Sequence, residues 1–172
     1  MTNQNEPEVA PESYCRISDA LDILYSWGVP RGGQTKKAKR NAVKNIREEL
    51  RELSEAIDND DVAEQLDAIA DIIFVSLDYA YRNNLPIEEG MTMVNLSNST
   101  KTLWGDHLNN CQDSIKALEA KGYEGLTTTL VTYTGGETSG SIMDKDLKVR
   151  KPLHFVEPMI RELLEGGSDE GK

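Results

Sequence analysis

At 172 residues and 38% apolar, the chain is long enough to bury a core of its own and is expected to form one domain, residues 13–165, between flexible tails at 1–12 and 166–172. A net charge of −11 argues against a nucleic-acid-binding surface, and no apolar run approaches the roughly 18 residues of a membrane span. Cys15 and Cys111 lack C-x-x-C spacing and no signal-peptide pattern precedes them, so they read as reduced, packed thiols of a cytoplasmic protein.

From Ser13 onward, Tyr14, Ile17, Leu21, Leu24 and Tyr25 recur at helical spacing, and Gly28 and Pro30 end that helix. The loop from Pro30 to Lys37 holds glycines and cations, as phosphate cradles do. It lacks the G-x-x-x-x-G-K-[ST] spacing and reads as a turn into the next helix.

That helix carries an apolar face of Val43, Ile46, Leu50, Leu53 and Ile57, with Glu48, Glu52 and Glu55 opposite and Glu49 on the shoulder. Asp61 to Glu64 fits a capping box that opens a second acidic helix, which makes Glu64 a cap rather than a ligand. Here Leu66, Ile69, Ala70, Ile73 and Leu77 form one apolar face, and Ala68, Ile72, Val75 and Tyr79 another. Glu64, Asp67, Asp71 and Asp78 form a narrow strip between them. A helix apolar nearly all round is expected to be buried, and carboxylates on such a helix need partners. Between Ile46 and Tyr81 the only basic residues are Arg47 and Arg51. A hard divalent cation such as Mg²⁺, which takes oxygen ligands and substrate phosphate, would supply the missing charge. The competing reading makes Glu48, Glu52 and Glu55 a solvated face, ion-paired with Lys44 and Arg51.

Asn83 to Pro86 closes the second acidic helix, and another follows from Ile87 to about Leu96. Beyond it, Asn98 and Lys101 are either phosphate contacts or ordinary surface polar groups. Leu103, Leu108, Cys111, Ile115 and Leu118 predict one amphipathic helix, stopped by Gly122. The β-rich run Leu126 to Thr134, the turn chemistry of residues 135–140 and a return over Ser141 to Met143 predict a two-stranded ribbon. A last helix is expected from Glu157 to Leu164. Lys145, Lys148, Arg150 and Lys151 are the densest cation cluster outside Lys36 to Arg40, either a phosphate-binding loop or a solvated one. His107 and His154 are too isolated for a zinc site or a triad, and no G-x-S-x-G elbow exists.

Glu48-Glu49-x-x-Glu52 followed by Asp67-Ala68-Ile69-Ala70-Asp71 resembles the metal-binding core of the MazG-like, all-α nucleoside triphosphate pyrophosphohydrolases. That superfamily also includes dimeric dUTPases and phosphoribosyl-ATP pyrophosphohydrolases. Leu96 to Lys101 is similar to its S-N-x-S-K segment, and Lys148-Val149-Arg150-Lys151-Pro152, with Phe155 and Pro158, to the tail of its phage-type, MazZ-like members. The sequence departs from the pattern at Ala68, where the family usually has Glu; Asp67 stands next to it as a substitute.

The resemblance implies a mainly α fold, a helical bundle of the all-α NTP pyrophosphatase type with a small C-terminal two-stranded β-ribbon. It implies Mg²⁺, with Mn²⁺ as a replacement, held by Glu48, Glu49, Glu52 and Asp71 together with Asp67, and Glu49 as the base that activates water. Asn98, Lys101, Lys148 and Lys151 are expected on the phosphates, and Trp27 either on the base or in the core. Attack at the α-phosphorus of a nucleoside triphosphate would give the monophosphate and diphosphate. The implied assembly is a homodimer or homotetramer, with neither nucleic acid nor membrane as a partner. Asp78 can accept from the N1 and N2 hydrogens of guanine, which makes (d)GTP the first expected substrate and dUTP the second. Phosphoribosyl-ATP hydrolysis and a non-catalytic helical interaction module remain the alternatives.

Overall fold

The computed structural model describes residues 16–166, so Cys15, the helix start expected at Ser13 and most of both expected tails lie outside the described residues. The described chain is mainly helical with a small antiparallel sheet. It gathers into two compact units that divide after Glu88.

The first unit is three helices: α1 (Ile17–Ser26), α2 (Lys36–Asp58) and α3 (Val62–Arg82). Helix α1 stops as its sequence predicts, because Gly28 turns to φ +68° and its N–H bonds back to the Tyr25 carbonyl. Thr35 caps α2 by accepting from the Ala38 N–H at 3.2 Å. After a tight turn through Asp60 at φ +54°, Asp61 caps α3, its Oδ1 accepting from the Ala63 and Glu64 N–H groups at 3.1 and 3.2 Å. The Glu64 side chain does not return the bond, so only half of the expected box forms.

Ala56 and Ala68 are buried where α2 and α3 pack as an antiparallel pair, and residues this small let two helices approach closely. Helix α1 then packs on α3, with Ala20 and Leu24 buried on α1 and Leu77, Ala80 and Tyr81 on α3. The loop after α1 is tied to the end of α3 by Gly32 N–H donating to the Arg82 carbonyl at 2.9 Å and by Arg31 lying 4.8 Å over the Tyr81 ring. The expectation of a helix buried all round needs correction within this chain. Leu66, Ile69 and Ile73 are 69%, 44% and 56% exposed. The ten residues of α1 span only about 15 Å and cover the C-terminal part of α3 alone.

The second unit holds most of α4 (Ile87–Ser99), then β1 (Leu103–Trp104), α5 (Gly105–Asn109), α6 (Cys111–Glu119), β2 (Thr127–Thr132), β3 (Thr138–Met143) and α7 (Ile160–Gly166). The strands form one antiparallel sheet in the order β1-β3-β2. The expected ribbon is therefore present with a short third strand on its other edge. Its turn is tighter than expected, Tyr133 to Glu137, and the return strand begins at Thr138.

The single helix predicted from Leu103 to Leu118 is instead a strand and two helices. Leu103 pairs with Gly140 across the sheet and is fully buried. Gly105 turns the chain at φ +48°, and Asn110 separates α5 from α6. The apolar spacing was real, but it belonged to three elements sharing one core: Leu103, Ile115, Leu118 and Ile142, flanked by Leu108, Cys111, Tyr123 and Leu126. Each fully buried Leu or Ile contributes about 1.5–3 kcal/mol. Cys111 is a free, half-buried thiol 3.7 Å from the Thr128 hydroxyl. Gly140 is obligatory here, since a Cβ would sit 2.8 Å from the Thr129 carbonyl oxygen and 2.9 Å from a Leu108 methyl.

The segment after β3 is pinned at three points. Leu153 N–H donates to Ser114 Oγ at 3.1 Å, Ser97 Oγ donates to the Val156 carbonyl at 2.7 Å, and Val156 N–H donates to Thr100 Oγ1 at 3.0 Å.

Candidate active site

Winding α2 at 100° per residue puts Glu48, Glu52 and Glu55 on its outer side, where all three are exposed. Glu49 falls with Ala42, Ile46, Leu53 and Ala56 on the half-buried face. Burial first, and then repulsion from Glu52, Asp71, Glu48 and Asp67 in that order, hold its carboxyl above the ordinary 4.5. The five carboxylates expected to act together are thus one electrostatic group, contributed by two helices and centred on the residue that sequence spacing placed on a shoulder.

The nearest cation does not neutralise them. The Arg51 guanidinium pairs with Glu55 and lies 3.7 Å from Glu52. Among the described residues Glu48, Glu49, Asp67 and Asp71 have no salt bridge. Helix stability does not explain their placement either. A helix prefers acidic residues in its first turn and basic ones in its last, yet α2 begins with Lys36, Lys37 and Lys39 and ends with Glu55 and Asp58.

Their chemistry fits a hard cation. Among the described residues no group of three or more Asp, Glu, His or Cys side chains is placed to hold a metal ion by itself. An ion such as Mg²⁺ keeps much of its water and uses one or two carboxylates plus phosphate, so this open, oxygen-only arrangement suits it better than it would suit a structural zinc ion. A cleft of about 310 Å³ lies alongside, between Glu52, Glu55 and Glu64.

Two residues considered for base recognition behave differently. Trp27 is 66% exposed, its ring 5.7 Å from that of Phe74 and tilted by 58°, so it is no core tryptophan. Phe74 lies one turn beyond Asp71 on α3, while Trp27 caps the end of α1. Asp78 does not join that group. Both of its carboxylate oxygens lie 2.8 Å from Arg82 Nε, and it is absent from the charges acting on Glu49. Arg82 stands four residues beyond Asp78, a spacing that could have revealed the pair from sequence.

In the second unit Asp144 organises the basic loop. It is only 5% exposed, and its Oδ1 accepts the N–H groups of Asp146 and Lys148, each at 3.0 Å, while Oδ2 pairs with the Arg150 guanidinium. Burial pushes its carboxyl up, but the hydrogen bonds from Lys148, Arg150 and Asp146 outweigh this and leave it below the ordinary 3.8. Around this anchor Leu147 is forced to φ +60° and Lys148 is turned outward, exposed. Lys101, Lys148 and Lys151 line one pocket of about 300 Å³. Lys121 and Tyr123 line it too, and nothing in their local sequence marks them. Asn98 is not on that lining; it is exposed near the end of α4, its carbonyl accepting the Lys101 N–H at 3.0 Å.

Residues 29–98 match the family model of phosphoribosyl-ATP pyrophosphohydrolase. The matched stretch contains α2, α3 and all but the last residue of α4, and with them all five carboxylates; it stops short of Lys101. No curated protein and no solved structure matches the chain.

Proposed function

We propose that this protein is a MazG-like, all-α nucleoside triphosphate pyrophosphohydrolase, a metal-dependent diphosphatase working from the carboxylates of α2 and α3; the match of residues 29–98 to the phosphoribosyl-ATP pyrophosphohydrolase model supports the reading. One observation carries the reading. Glu49 is half-buried on α2, its pKa is raised by that burial first and then by four carboxylates drawn from two helices, and among the described residues no cation is paired to it.

Glu48, Glu49, Glu52 and Asp71, with Asp67 in place of the Glu absent at Ala68, are the residues to hold Mg²⁺ or Mn²⁺. The ion, when bound, places positive charge on phosphoryl oxygens as negative charge builds there. Glu49 accepts a proton from the attacking water, a role its raised basicity favours. The water oxygen bonds to the α-phosphorus, the bond from that phosphorus to the bridging oxygen breaks, and diphosphate leaves the nucleoside monophosphate. Asn98, Lys101, Lys148 and Lys151, all of the second unit, are proposed as phosphate-binding residues in their own right; the shared pocket of the three lysines supports them more than the exposed Asn98 is supported.

(d)GTP is the first substrate to test and dUTP the second, with Trp27 available to stack on a base through its exposed ring face. For Asp78 to read guanine it must first give up Arg82. Phosphoribosyl-ATP is the second reading, favoured by the description of the matching family. Val62, Leu66, Ile69 and Ile73 on α3, and Val43, Leu50 and Ile57 at seven-residue spacing on α2, are exposed apolar residues that support assembly as a homodimer or homotetramer. Among the described residues no helix is long and apolar enough to cross a membrane, and a cytoplasmic location is part of the same proposal.

The test is diphosphate release from a panel of ribo- and deoxyribonucleoside triphosphates and phosphoribosyl-ATP, with Mg²⁺ or Mn²⁺, beside Asp71→Asn. Release from one substrate that is lost with chelator and in the variant is the expected result. Orthophosphate as the product, or an unaffected variant, would overturn the mechanism. Silence across the panel would return the protein to the interaction-module reading.

A further inference from the structure

The pocket of about 300 Å³ in the second unit is lined by four lysines, Lys101, Lys121, Lys148 and Lys151, and by Arg150. Two of these five cations have counter-charges. Arg150 is paired with Asp144 and lies 4.3 Å over the Tyr123 ring, and Lys151 Nζ is 2.6 Å from Glu157. Lys101, Lys121 and Lys148 have no carboxylate within salt-bridge distance among the described residues. On a chain of net charge −11, three uncompensated ammonium groups around one cavity mark a place where a mobile anion completes the charge.

The framework around them is fixed rather than floppy. Lys121 follows α6 directly, and its backbone N–H is held by the Leu118 carbonyl at 3.0 Å. Lys151 and Lys101 both lie over the Phe155 ring, at 4.5 and 5.7 Å, and the segment carrying Phe155 is pinned to Ser114, Ser97 and Thr100. A cation just past a helix C-terminus is favoured there anyway, but that preference does not require it to line a pocket with three other lysines. Lys121 and Lys151 also line an adjoining pocket of about 200 Å³, so the two together form the wall between the cavities.

We propose that Lys121 is a phosphate-binding residue, and that with Lys101, Lys148 and Lys151 it forms an anion site, built within the second unit, that takes a condensed phosphate without any metal ion. The choice of a condensed phosphate as the anion rests on the hydrolase reading; the existence of the site does not. Several ammonium groups around one cavity match an extended polyanion better than a single small charge, because each lysine acts as a separate point charge.

The experiment is calorimetric titration of the full chain with inorganic diphosphate in the presence of chelator, beside inorganic phosphate. One saturable site is expected, tighter for diphosphate than for phosphate. Lys121→Ala should weaken it by about tenfold or more, the scale of one charge-assisted contact, and Lys121→Arg should restore most of the loss. Lys116→Ala, which removes an exposed lysine of α6 outside the pocket lining, should leave it unchanged. Absence of metal-free binding, or equal weakening by Lys116→Ala, would overturn the proposal. Because Lys121 is exposed, its variants should melt with wild type, and a lowered melting temperature together with lost binding in Lys121→Arg would also count against a direct contact. Wild type separates the two readings: diphosphate bound by a wild-type chain that hydrolyses none of the substrate panel would sink the hydrolase reading alone. Hydrolysis without metal-free binding would sink this one alone.

Discussion

The two units handle charge in opposite ways. In the first, five carboxylates from two helices crowd one another and, among the described residues, no cation is committed to four of them, so the folded state carries their repulsion. In the second, Asp144, the one buried carboxylate among the described residues, is saturated by two N–H groups and a guanidinium, and it is three of the pocket's lysines, Lys101, Lys121 and Lys148, that lack counter-charges there. A carboxylate with every oxygen satisfied is a structural anchor. Groups left mutually repelling or uncompensated are better explained by what they are to bind.

The contrast breaks most readily at Glu49. Glu49→Gln should lower the turnover number by about a hundred- to ten-thousandfold, the usual worth of a positioned base, measured as diphosphate release at saturating substrate. Since crowding disfavours the ionised form, the same variant should also melt at a higher temperature than wild type when metal is absent. Full activity in Glu49→Gln would end the case for the acidic group as the reacting centre.

A smaller effect tests whether the second unit's core is what carries its loops. Leu103→Ala removes a fully buried side chain from between β3 and α6 and should cost about 2–5 kcal/mol in urea unfolding. A loss under about 1 kcal/mol would mean the site collapses freely around the change and that the core is loosely packed.

The smallest effect is the sharpest on Asp144. Its folded carboxyl titrates below the ordinary 3.8, so the stability it supplies is complete above that pH and is lost as the pH falls through the folded value. Asp144→Asn should therefore be less stable than wild type near neutrality, with the difference closing in acid below about pH 4. A pH-independent difference between the two would assign the anchor to shape and not to charge.

How much of this was legible beforehand follows from how each site is built. The acidic group lies on two long helices, where 100° per residue fixes which side chains share a face; spacing set Glu48 and Glu52 on one side of α2 and Asp67 and Asp71 on one strip of α3, and the family resemblance joined them with Glu49 into one set. What spacing could not supply was depth. It set Glu49 on a shoulder, whereas packing between α2 and α3 half-buries it, and it predicted burial for Leu66 and Ile73 without knowing that α1 is too short to reach them. The basic pocket has no period at all. Lys101, Lys121, Lys148 and Lys151 come from three connections between elements, and only the sheet, α6 and the pinned segment at Phe155 bring them to one cavity. Lys121 had no neighbour in sequence to advertise it. Leu103 misled for the opposite reason: an apolar residue at helical spacing from Leu108 fitted a helix until Gly105 and the pairing with Gly140 decided otherwise.

The β2–β3 hairpin is also set to age unevenly. Thr127, Thr129, Leu130, Val131 and Thr132 of β2 face solvent, and exchange among residues of similar strand preference there would go almost unnoticed by the fold. The facing strand has no such freedom. Ser139, Gly140 and Ile142 are buried, and at Gly140 the gap to the Thr129 carbonyl admits a hydrogen atom and nothing larger. Lineages of this protein should therefore drift along one strand of the hairpin while the other stays fixed, with every tolerated change on β2 made against an unchanging partner.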